Sequence, residues 1–70
     1  MSYAVRLYIE TAREEDGRWI AEAVDFPDAL AYGATEDEAK ANAYALALRV
    51  IADQVEESKK FPNSISVAHA

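Results

Sequence analysis

The sequence predicts an α+β domain in which one small, antiparallel-rich sheet carries a single helix across a face, in the order β-β-β-α-β. Three observations predict it. Apolar and polar residues alternate from Tyr3 to Thr11, the period of a half-buried strand. Asp16-Gly17 and Pro27 punctuate the next stretch of chain into short segments. A long stretch from Thr35 to Ser58 then contains neither glycine nor proline and repeats its apolar residues at helical spacing.

Strand one is expected over Tyr3 to Thr11, with Tyr3, Val5, Leu7 and Ile9 on one face and Arg6, Tyr8 and Glu10 on the other. Asp16-Gly17 supplies an aspartate that caps a turn and a glycine that accepts positive φ, so a hairpin leads into strand two, Trp19 to Val24. In Asp25-Phe26-Pro27-Asp28 the proline fixes φ and removes a ladder donor, ending that strand in a tight turn. Ala29 to Tyr32 reads as a short third strand, after which Gly33 is expected to let the backbone swing. Thr35-Glu36-Asp37-Glu38 is a capping box, and its three acids suit the positive end of a helix dipole. The helix is expected to run to about Ser58, followed by Lys59 and Lys60 at its negative end and by Pro62. Asn63-Ser64 turn the chain, and Ile65 and Val67 alternate with Ser66 and Ala68 in a closing strand.

At 100° per residue the helix shows two apolar stripes bridged by Ala47. Ala39, Ala43, Leu46 and Val50 form the first, suited to lying close on a sheet; Tyr44, Leu48, Ile51 and Val55 form a bulkier second. Two readings are open for the second: the domain's own core consumes it, or it joins two copies into a homodimer or higher homo-oligomer.

Seventy residues form one domain, 1–70, whose core is thin because fifteen of the hydrophobic residues are alanine. The net charge of −6 argues against nucleic-acid binding through a basic patch and favours a basic partner. The chain has no cysteine, which excludes disulfides and thiolate sites, and shows neither a leader segment nor a long apolar run; a cytoplasmic, non-membrane protein is expected.

The residues offer little chemistry, and no enzyme, metal or cofactor is expected. His69 is the single histidine and reads as a solvated tail residue, leaving Ser2, Ser58, Ser64 and Ser66 without an activating base. Gly17 and Gly33 stand alone rather than forming a phosphate loop. Tyr3, Tyr8, Trp19 and Tyr32 are not interleaved with basic residues, and core packing explains them more simply than base stacking. Of three acidic clusters, Glu14-Glu15-Asp16 reads as a hairpin tip and Glu36-Asp37-Glu38 as helix capping. Glu22, Asp25 and Asp28 remain as partner-facing charge.

Three ordered segments carry a resemblance: Glu15-Asp16-Gly17-Arg18-Trp19-Ile20-Ala21-Glu22, then Asp25-Phe26-Pro27-Asp28-Ala29, then Gly33-Ala34-Thr35-Glu36-Asp37-Glu38-Ala39. Together they resemble the HicB antitoxin domain, with Asp16, Gly17, Trp19, Pro27, Gly33, Thr35, Glu38 and Ala39 as its structural motif residues. The resemblance implies a partial RNase H-like fold without catalytic acids. It also implies a function, occluding the active site of a small basic mRNA-cleaving toxin that is HicA-like. Where the family often has Pro-Gly this chain has Pro27-Asp28, and where the family usually carries a C-terminal DNA-binding segment none is expected here. A stand-alone domain of this kind has an alternative role as an orphan structural or regulatory oligomer with no toxin partner.

Overall fold

Alternation along the first strand decides which side of the sheet the helix covers, and the structure, a computed structural model, realises the expected order. It describes residues 3–26 and 28–69; the turn expected at Pro27 lies outside the described residues. The elements are β1 (Ala4–Arg13), β2 (Trp19–Ala23), β3 (Leu30–Gly33), α1 (Glu36–Ser58) and β4 (Ser64–His69). The boundaries differ from the expected ones by one or two residues, because ladder pairing carries β1 past Thr11 to Arg13 and β3 on to Gly33. Ser64, expected in a turn, already pairs with Ala4.

The sheet is mixed, in the order β3-β2-β1-β4, with β1 antiparallel to β2 and parallel to β4. β1 is used in two halves. Ala4 to Ile9 pair with β4 and Ile9 to Arg13 pair with β2, so the two ladders overlap at Ile9, beside which Tyr8 O also accepts from Val24 N–H at 2.9 Å. This stagger draws the molecule out to 45 × 20 × 15 Å.

Leu7 and Ile9 of β1 and Ala21 and Ala23 of β2 face the helix and are buried with Ala29, Ala39, Ala43, Ala47 and Ile51. The buried line of the helix is therefore Ala39-Ala43-Ala47-Ile51, one residue every four, which takes members from both expected stripes and the bridge between them. Leu46 flanks this line on one side and Tyr44 and Val55 on the other, all partly buried against the core, while Leu48 is exposed. Alanine on alanine lets the helix lie close to β2 and β3, so the thin core is a consequence of close approach as much as of small side chains.

Local chemistry fixes both ends of α1. The Glu38 amide donates to Thr35 Oγ1 at 3.1 Å, and the Glu38 carboxylate reaches back one residue beyond the cap to accept from the Ala34 amide at 3.0 Å. Thr11 Oγ1 donates to the Glu36 carboxylate at 2.6 Å, tying β1 to the first helical turn. At the other end Lys59 stands in the left-handed region, φ 60°, and its amide donates to Val55 O at 2.8 Å. This conformation favours glycine. Lys59→Gly is expected to stabilise the domain by about 0.5–1 kcal/mol, the relief of the Cβ clash exceeding the entropy glycine loses on folding. A melting temperature raised by roughly 2–8 °C in calorimetry checks it.

Gly33 has a different purpose from the one expected. Its φ is not positive, but the strand backbone there runs directly against the first turn of α1. Among the described residues no helix is long and apolar enough to cross a membrane.

Candidate functional site

Because α1 covers one side of the sheet, the even-numbered side chains of β1 emerge on the other. On that helix-free face Tyr8, Glu10 and Ala12 of β1 lie beside Ile20 and Glu22 of β2, and Leu30 and Tyr32 of β3 come next. The register sets Glu10 directly opposite Glu22, and Glu22 in turn opposite Leu30. Directly opposed like charges on adjacent strands repel, their Cβ atoms being about 4.5–5.5 Å apart. Glu10, Thr11, Ala12, Ile20, Glu22 and Leu30 line one shallow depression around this pair.

Arg18 borders the same face, its guanidinium 4.7 Å from the centre of the Tyr32 ring. It is held by the hairpin turn. Glu14 N–H donates to Arg18 O at 2.7 Å, Gly17 N–H donates to Glu14 O at 3.0 Å, and Gly17 takes φ 91°, so three residues close the loop with glycine at the bulge. The Asp16 carboxylate accepts from the Arg18 amide at 3.1 Å and from Arg18 Nε at 2.8 Å. The backbone bond foremost, and the side-chain bond and charge of Arg18 with it, hold the Asp16 carboxyl below its usual 3.8, desolvation opposing them. A depressed carboxylate favours the fold above its unfolded-state value and loses that contribution as the pH falls through the folded one, so the turn weakens only in acid.

The acids expected to face a partner do not share one depression. Glu22 belongs to the Glu10 pair, whereas Asp25 and Asp28 line a second open depression with Phe26, Val50 and Gln54, beside the helix. Backbone hydrogen bonds hold the flanking residues: Phe26 N–H donates to Ala23 O at 2.9 Å and Ala29 N–H to Phe26 O at 2.8 Å. Glu10 was absent from the expected cluster. Alternation put it on the outer face, but only the strand register shows that it meets Glu22.

Of the residues considered for self-association, Ile51 is in the core, Tyr44 and Val55 are half-buried against it, and Leu48 alone is well exposed. Trp19 packs against the core from the helix side, while Tyr32 is exposed on the outer face. Among the described residues no group of three or more His, Cys, Asp or Glu side chains is placed to hold a metal ion. Comparison of the chain with protein-family models, with curated proteins and with solved structures finds no match.

Proposed function

We propose that this domain is a protein-binding module of the HicB antitoxin type, which binds a small basic mRNA-cleaving protein and covers its active site. The observation that supports this reading most directly is the Glu10–Glu22 pair on the open sheet face, with Ile20, Leu30 and Tyr32 around it. A lysine or arginine of a partner placed between the two carboxylates would relieve their repulsion, and the apolar neighbours would exclude water from the contact. A protein that cleaves RNA needs cations to hold phosphate, so an acidic face competes for the groups its substrate uses. The chain's charge of −6 would speed the encounter, more so at low salt.

Removing both charges should separate stability from binding. The Glu10→Gln/Glu22→Gln double variant is expected to gain about 0.2–1 kcal/mol of stability through lost repulsion. Its affinity for the basic partner should fall at least about tenfold. The partner is sought as a short basic protein encoded beside this chain's gene, by co-purification and by relief of its toxicity on co-expression, and affinity is then measured by calorimetric titration at two salt concentrations. Recovery of no basic partner, together with no relief of toxicity, would overturn the antitoxin reading and leave the orphan oligomer.

A further inference from the structure

The helix stops short of β4. Among the described residues α1 contacts β1, β2 and β3 but not β4, so the helix-side face of the last strand is uncovered, with Ile65 48% and Val67 49% exposed. Phe61, which leads into the strand, is 70% exposed. The outer edge of β4 is also open, since β1 lies on one side and, among the described residues, no strand on the other. The radius of gyration, 13.1 Å, exceeds the ~11 Å of a compact chain this long.

Edges left open in soluble proteins are normally defended. The opposite edge is: β3 has four residues, and its Tyr32 carbonyl is taken by Asn42 Nδ2 at 2.9 Å. β4 reads Ser-Ile-Ser-Val-Ala-His, without lysine, arginine, an acid or proline.

We propose that β4 joins two copies of this chain, the two strands pairing antiparallel about a two-fold axis at Ser66 to make one continuous eight-stranded sheet. Opposed residues of an antiparallel pair share a face. With Ser66 opposite its own copy, Ile65 of one chain meets Val67 of the other, twice, on the helix side, and Ser64 meets Ala68 on the outer side. A shift of one residue in the register sum would put the two helices on opposite faces, and a shift of two would part the Ile65–Val67 pairs.

Charge selects a second copy as the occupant. Lys59 and Lys60 precede the start of β4, while β1 continues past its end to the hairpin, where Glu14, Glu15 and Asp16 outnumber Arg13 and Arg18. Antiparallel pairing sets the start of one β4 beside the end of the other, so the basic pair of each copy comes to the acidic end of its mate. A two-fold contact also closes on itself and uses the open edge of both chains at once. This contact is independent of the antitoxin reading, since it uses the sheet edge and the helix side of β4 and leaves the Glu10–Glu22 face free.

The chain has no cysteine, so one introduced thiol reports on the axis directly. Opposed Cα atoms of an antiparallel pair are about 4.5–5.5 Å apart, within disulfide reach, whereas two residues at position 64 would stand roughly 13 Å apart along the strands. Mild oxidation is expected to convert Ser66→Cys to a covalent dimer and to leave Ser64→Cys largely uncross-linked. Wild type should sediment as a dimer, and Val67→Lys, at a half-exposed position, should weaken it by about a hundredfold or more with an unchanged circular dichroism spectrum. If Val67→Lys fails to fold, the cysteine pair still decides. A monomeric wild type at high concentration, or cross-linking of Ser66→Cys no faster than of Ser64→Cys, overturns the proposal. So does a dimer that Leu48→Lys dissociates and a folded Val67→Lys does not, which would place the contact on the helix.

Discussion

Gly33→Ala is expected to cost about 3 kcal/mol or more, although the residue lies in an ordinary backbone conformation. A Cβ added there would stand 2.5 Å from the Ala39 amide nitrogen and 2.9 Å from both the carbonyl carbon and the Cβ of Glu38. Two of these atoms are helix backbone, so no side-chain rotation relieves the clash. The end of β3 or the start of α1 must move, and the first turn is held by the Thr35 cap, the Thr11–Glu36 bond and the Asn42 bond to Tyr32 O. A domain of seventy residues has about 3.5–10 kcal/mol in all, so the variant is expected to be largely unfolded or to melt far below wild type. Ala39→Gly should not rescue it, because the contact is with a nitrogen that glycine also has. Gly17→Ala is the comparison: its added Cβ meets nothing within 4 Å, and the cost, about 1–2 kcal/mol, comes only from φ 91°. Urea unfolding of both variants checks the order, and a Gly17→Ala that costs more than Gly33→Ala would refute the close-approach account.

A lone glycine after a strand and before a capped helix signals a change of direction, but whether it serves φ or proximity depends on what the chain meets there, which for Gly33 is six residues away at Ala39. The same limit recurs elsewhere. The strand alternation, the Asp16-Gly17 turn and the Thr35 cap are local, and each was legible because a neighbour within four residues completes it. The order of strands in the sheet and the parallel placement of β4 at its edge depend on pairing between residues sixty positions apart, such as Leu7 with Val67. The Glu10–Glu22 pair became visible only with that kind of register. On the helix, periodicity showed a wide apolar arc, but close approach to β2 and β3 chose the alanines at its middle and left Leu48 outside. The left-handed Lys59 had no signal at all, since lysine is not a residue that announces positive φ.

Leu7→Ala is expected to cost about 2–5 kcal/mol, the range for removing a fully buried leucine from a core that cannot collapse around the gap. Leu7 and Ile9 are the largest fully buried side chains, and the rest of the buried set is alanine but for Ile51. Alanines have nothing to swing into a void, so relaxation must come from backbone movement, which the sheet ladders on β1 oppose at Ile9 from both sides. Leu7 also lies opposite Val67, so its loss removes part of what β4 rests on and should loosen that strand before the rest of the sheet. Amide exchange is the measurement that separates this account from a general loss of stability. Protection on β4 should fall more than protection on β2 and β3, where α1 lies close. Leu48→Ala is the control at an exposed site on the same kind of side chain, with an expected change within about 0.5 kcal/mol. An equal loss of protection on all four strands in Leu7→Ala would mean that β4 is bound to the core more tightly than its half-exposed side chains imply.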